Sequence, residues 1–112
     1  MMTTVEVAQA FSKTPGGRFA RLGPYSGEQF RMELEEILLR TRPDIVSVVL
    51  DGTEGYGSSF LEEAFGGLVR SGVIPSDELK RRVKIVARTS LFQPYADEAK
   101  NYFDDALRVL DN

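Results

Sequence analysis

The chain contains neither cysteine nor histidine. The first absence excludes disulfides, a thiolate nucleophile and sulfur ligation of zinc. The second removes the usual general base and the commonest metal ligand. Ser-His-Asp chemistry, Cys-His proteolysis, HExxH sites and zinc fingers are therefore ruled out by composition. An excess of positive charge is lacking too: 14 basic and 17 acidic residues give a net charge of −3. A general nucleic-acid binder is usually strongly basic, so no such partner is expected. The longest apolar run, Ile45 to Leu50, is broken by Ser47 and falls far short of the ~20 residues that cross a bilayer. The opening MMTTVEVAQA has no positive charge and no apolar core, so no secretory signal is visible. These absences predict a cytoplasmic protein without membrane, metal or cofactor.

Carboxylate or lysine chemistry survives this elimination. Glu62-Glu63 and Asp104-Asp105 are adjacent pairs, however, and neighbours on a helix diverge rather than share a metal or form an acid/base couple. A non-catalytic protein is expected.

What is present suffices for one domain over 1–112: 112 residues, 42% of them apolar, with seven Phe. No repeat, low-complexity tract or long linker divides it. Val5, Val7 and Phe11 fit a first short strand, Thr14-Pro15-Gly16-Gly17 a turn, and Phe19 and Leu22 a second strand returning as a hairpin before Gly23-Pro24. Ser26-Gly27-Glu28-Gln29 has the capping-box pattern. The helix that follows places Phe30, Leu34, Ile37, Leu38 and Thr41 on one stripe, with Arg31, Glu33, Glu35 and Arg40 largely off it, and Pro43 ends it.

The β-branched run Ile45–Leu50 reads as a strand covered on both sides. After the loop Asp51–Gly57, a second helix starts at Ser58 or Ser59 with Leu61, Ala64, Phe65 and Leu68 inward. Gly66 and Gly67 within it suggest a close backbone approach, each otherwise costing about 1 kcal/mol against Ala. A short helix over Ser76–Arg82 leads into a strand at Val83, Ile85 and Ala87. Gln93-Pro94 then opens a last helix with a stripe of Tyr95, Ala99, Tyr102, Phe103, Ala106, Leu107 and Leu110. Helices alternating with strands imply an α/β domain: a small mixed sheet of about four strands under three to four helices.

Ligands and partners of open α/β sheets gather at the carboxyl ends of strands. Here that place is the segment from Asp51 to Ser59, glycine-rich and ending at a helix N-terminus that favours anions. Ser59 with Glu62 would complete a capping box, which leaves Ser58 free for another role. Tyr56, between two glycines, is either an exposed interface anchor or a ring folded back over the sheet. Thr14, Gly16, Gly17 and Arg18 offer N–H groups and a guanidinium, a candidate anion site. They lack the Gly-Lys-Ser/Thr ending of a P-loop, and a turn between strands is the plainer reading. Lys80, Arg81, Arg82, Lys84 and Arg88 form the one basic concentration, more in keeping with a solvated face than a nucleic-acid patch.

Val48-Val49-Leu50-Asp51, the short loop and Gly57-Ser58-Ser59-Phe60-Leu61 resemble the centre of STAS domains, named for sulphate transporters and anti-sigma-factor antagonists. More specifically, EGYGSSFLEEAFGGLVR, with FSKTPGGR and SGEQFR upstream, resembles a bacterial STAS-like family of unknown function over Phe11 to Arg88. The resemblance implies the STAS-like fold. It also implies a regulatory module whose partner is a histidine-kinase-like ATPase that phosphorylates the first serine of the motif. Ser58 matches that phosphoacceptor, and Asp51, Tyr56, Gly57, Ser59 and Phe60 the surrounding partner-binding motif. Gly57 stands where the anti-sigma-factor antagonists have an acidic residue, and Phe60 where they have glycine. The alternative reading is a small-molecule or nucleotide sensor using the same loop and Arg18.

Overall fold

A computed structural model describes residues 1–111. Strands β1 (Met2–Glu6), β2 (Ile45–Val49) and β3 (Val83–Val86) form one sheet in the order β1-β2-β3. Both pairings are parallel, with Val5 beside Val48 and Val48 beside Ile85. Strands laid side by side in chain order, joined by right-handed crossovers, send their connecting helices to the same face. The alternation of burial agrees: Val5, Val46, Val48, Val83 and Ile85 face the core, whereas Met2, Thr4 and Lys84 are exposed. Val49 is buried on the other face, where Arg88 reaches across to Glu6 at 3.1 Å.

The sheet is thus parallel with three strands, not mixed with about four. The hairpin expected from Phe19 and Leu22 does not form. The chain leaves β1 at Glu6 and enters the short helix α1 (Val7–Ala10), where the Phe11 and Ser12 N–H groups both reach the Val7 carbonyl. Val7 is therefore a buried helical residue, and no long first strand exists for a hairpin partner. Ala20–Leu22 instead makes a 3₁₀ turn with Leu22 66% exposed, while the Arg18 and Arg21 guanidiniums lie over the Phe19 ring. Thr14–Arg18 is likewise no hairpin turn. The Gly16 N–H donates to the Tyr25 carbonyl, and the Gly17 and Arg18 carbonyls accept from Gly27 and Glu28. The stretch is a strap lying along the start of the next helix. A Cβ at Gly16 would come within 2.3 Å of the Pro24 oxygen, so only glycine fits there.

That helix, α2 (Gly27–Arg40), begins as expected, with the Ser26 hydroxyl accepting the Gln29 N–H at 3.0 Å. It buries Phe30, Leu34 and Leu38, each worth about 2 kcal/mol or more of apolar transfer. Glu35 is buried too, off the apolar stripe, because Arg31 and Ser71 satisfy its carboxylate. A close backbone approach does occur, but at Gly27, where a Cβ would lie 2.5 Å from the Phe60 oxygen.

The second helix runs without a break through α3 (Ser58–Leu61), a π turn (Glu62–Gly66) and α4 (Gly67–Arg70). Residues Ala64 to Val69 are all buried. Gly66 and Gly67 make room for side chains rather than backbone: Glu62 and Arg70 over the first, Glu63 and Arg31 over the second. α5 (Ser76–Arg82) leads directly into β3, and α6 (Gln93–Asp111) closes the core with Ala96, Ala99, Phe103 and Leu107. Leu110, placed on the inward stripe by periodicity, is exposed near the end of that long helix. One contiguous core includes Phe30, Phe60, Phe65, Tyr56 and Phe92, with Phe30 and Phe60 stacked at 6.1 Å. No helix among the described residues is long and apolar enough to cross a membrane.

Candidate functional site

β2 ends at the centre of the sheet, and the loop after it turns above the strand ends. Gly52 and Gly55 take φ values of +92° and +107°, a region that other residues enter at a cost. A Cβ at Gly55 would also lie 2.6 Å from the Tyr95 hydroxyl. These two positions let the chain reverse tightly and deliver Ser58 to the start of α3.

Asp51 is the clamp of this end. Its carboxylate accepts the Arg88 N–H at 2.8 Å, the Thr89 N–H at 3.0 Å and the Thr89 hydroxyl at 2.7 Å, tying the end of β2 to the end of β3. Desolvation opposes its ionisation, but those donors outweigh it and hold the carboxyl below the ordinary aspartate range.

Tyr56 is folded back over the sheet, only 8% exposed, with its hydroxyl donating to the Leu50 carbonyl at 2.7 Å. Burial pushes that hydroxyl far above the usual tyrosine range. The ring packs edge-on to Tyr95 at 5.4 Å. Phe60 is buried as well. Neither aromatic is available as an exposed anchor; both hold the loop's shape from beneath.

Gly57, Ser58 and Ser59 are exposed in succession. Gly57 occupies the cap position and the helix starts at Ser58, so Ser59 lies inside the first turn and does not form the capping box with Glu62. The Ser58 hydroxyl lies beside that of Tyr102, which donates to Glu98 at 2.7 Å. Glu98 keeps the Tyr102 hydroxyl above its ordinary range, and Ser58 partly offsets it.

One turn beyond Ser58, the helix carries a charge network not expected from the sequence. Glu62 accepts from Arg18 at 2.6 Å and from Arg70 at 2.6 and 2.8 Å. Arg70 above all, and then Arg18, hold its carboxyl below the ordinary glutamate range. Glu63 lies 3.3 Å from Arg31 and 3.6 Å from Arg18. The adjacent glutamates therefore converge on shared guanidiniums instead of diverging. The arginines come from the strap, α2 and α4, and the signal for them was the Gly66-Gly67 pair, which clears space for long side chains.

Arg18 thus faces two carboxylates, and the N–H groups of Thr14 and Gly16 donate to the Ser12 hydroxyl and the Tyr25 carbonyl. Two clefts are lined by neighbours of the serines and not by the serines themselves. One of about 400 Å³ at the strand ends is lined by Thr53, Glu54, Leu91, Phe92 and Tyr95, with Leu91 76% exposed. The other, about 210 Å³, is lined by Glu62, Arg70, Tyr102, Asp105, Ala106 and Val109.

Comparison with known proteins returns a family model described as a STAS-like domain of unknown function, which matches residues 26–90, more than half of the chain. The match begins at the Ser26 cap and leaves the strap outside it. No curated protein and no solved structure matches.

Proposed function

Since the chain belongs to the STAS-like domain family of unknown function, we propose that it is a non-catalytic regulatory module that binds a protein partner at the exposed N-terminus of α3, with Ser58 as the residue whose phosphorylation breaks the complex. The supporting observation is the setting of Ser58. It is exposed at the start of a helix, on a turn that Asp51, Gly55 and Tyr56 fix from below. One turn along the helix, a cleft lined by Tyr102, Ala106 and Val109 together with Glu62, Arg70 and Asp105 offers a partner apolar surface among charges.

The physics of the switch follows from position. A phosphate would add about −1.5 to −2 charges at a helix N-terminus, where the dipole is favourable. Glu62, one turn away, repels it, but Arg18 and Arg70 already neutralise that carboxylate. Folding is therefore little affected. A docked partner, by contrast, would have to desolvate the phosphate, and each ~1.4 kcal/mol of that cost weakens binding tenfold.

By family resemblance the partner is a histidine-kinase-like ATPase. The test is to incubate the protein with ATP and each such ATPase of its host and to read intact mass. Addition of one phosphate, absent in Ser58→Ala, is expected. Phosphate on another residue, or on none with every ATPase tried, rejects the reading.

A second reading, small-molecule sensing, is favoured by the strand-end cleft. Its apolar lining and the Glu54 carboxylate suit an uncharged or cationic ligand better than a nucleotide. Thermal shift against neutral and cationic metabolites tests it; a flat melting temperature throughout removes it.

A further inference from the structure

The basic concentration from Lys80 to Arg88 has no part in the site above, and the fold divides it. Arg82 is buried, donating to the Asp44 carbonyl at 2.6 Å and pairing with Glu78 at 2.5 Å. Arg88 pairs with Glu6. Lys80 and Lys84 lie outside that scaffolding, and α6 brings Lys100 to join them. The three line a groove of about 570 Å³, larger than either cleft lined by the serines' neighbours.

All four residues of β3 line this groove, with Phe103 and Leu107 of α6 as an apolar wall and Asp104 as its one acidic side chain. β3 pairs with β2 on one side, and among the described residues no strand lies on the other. An edge strand presents N–H and C=O groups that a further strand can pair with. We propose that this edge receives an acidic, extended peptide segment of a partner protein as a fourth strand. Its carboxylates meet Lys80, Lys84 and Lys100, and an apolar side chain rests on Phe103 and Leu107.

Charge selects this occupant. Three lysines against Asp104, with Asp111 at Lys80, leave the groove positive on a chain whose net charge is −3. A second copy meeting edge to edge would set lysines of like sign against each other, which is unfavourable for directly opposed residues. Nucleic acid binds through many phosphate contacts, and three lysines beside Asp104 and Asp111 are a short array. Lys80 lies 3.0 Å from Asp111, but both side chains are about half exposed. Such a surface pair is weak, so an incoming carboxylate can take its place. A four-residue strand offers about 13 Å of edge, enough for a short linear segment.

The test uses fluorescence anisotropy with a labelled peptide alternating glutamate and valine. Its lysine–valine counterpart and a single-stranded oligonucleotide serve as competitors of other chemistry. Hydrogen exchange is read at the β3 amides. The acidic peptide is expected to bind, to slow exchange across β3, and to weaken by about tenfold or more in Lys84→Glu/Lys100→Glu. Lys100→Glu alone, on an exposed helical position, serves if the double variant fails to fold. Four results overturn the proposal: no binding up to about 1 mM, equal binding of the lysine peptide, preference for the oligonucleotide, or binding without slowed β3 exchange. A dimer in sedimentation that Lys84→Glu dissociates would also overturn it, assigning the edge to a second copy.

Discussion

The turn from Asp51 to Ser59 and the edge of β3 belong to the same three-stranded sheet, yet they treat their polar groups in opposite ways. At the turn, Asp51 collects three donors and Tyr56 meets the Leu50 carbonyl, while Ser58 and Ser59 stay in water at the helix start. Along β3 it is the backbone that is left over, with lysines around it. The first arrangement fixes one shape and suits recognition by surface complementarity. The second leaves hydrogen-bonding capacity unspent and suits recognition of an extended chain. The contrast teaches that rigidity and openness can be assigned separately to a strand end and to an edge of one small sheet.

The comparison is broken most severely from beneath the turn. Phe60→Ala empties a fully buried ring position and should cost about 3–5 kcal/mol by urea denaturation. Asp51→Ala releases the ends of β2 and β3 and should cost about 1–2 kcal/mol, with faster exchange at the Arg88 and Thr89 amides. Acid sharpens the same point. Asp51 and Glu62 have folded-state values below their unfolded ones, so the native state binds fewer protons there. The stability they lend is complete above about pH 5 and is lost as pH falls through the lowered values. Urea midpoints should decline below about pH 4, and Asp51→Asn should flatten that decline. The smallest effects belong to the exposed positions. Ser58→Asp and Lys84→Glu should each change stability by less than about 0.5 kcal/mol. A large loss from either would show that its surface is structural.

Much of this was legible from residue pattern. The β-branched run of β2, the Ser26 cap, the inward stripe of α2 and a helix start at Ser58 or Ser59 all follow from local chemistry, although the structure caps that helix at Gly57 and forms no Ser59–Glu62 box. The hairpin failed because Val5, Val7 and Phe11 satisfy a period-two pattern while the chain already turns helical at Val7, and Phe19 and Leu22, three residues apart, share no strand face. The contact of Glu35 with Ser71 and the meeting of Glu62 and Glu63 with Arg18 and Arg31 depend on partners brought from other elements, which periodicity cannot report. Tyr56 was balanced between two readings, and the nearby Leu50 carbonyl decided for the inward one. The open edge of β3 depends on strand count and order, which became readable only with the sheet.

The π turn at Glu62–Gly66 has a consequence for how the helix tolerates change in length. An α-helix advances about 100° per residue, and a π turn spends an additional residue within its winding. The angular phase of Leu68 and Val69 relative to Ser58 is therefore set by that surplus. A chain shortened by one residue between them could unwind the bulge into ordinary helix and leave both ends in place. A chain lengthened by one would have no such slack to draw on, and would rotate either the serines or the buried leucine out of phase.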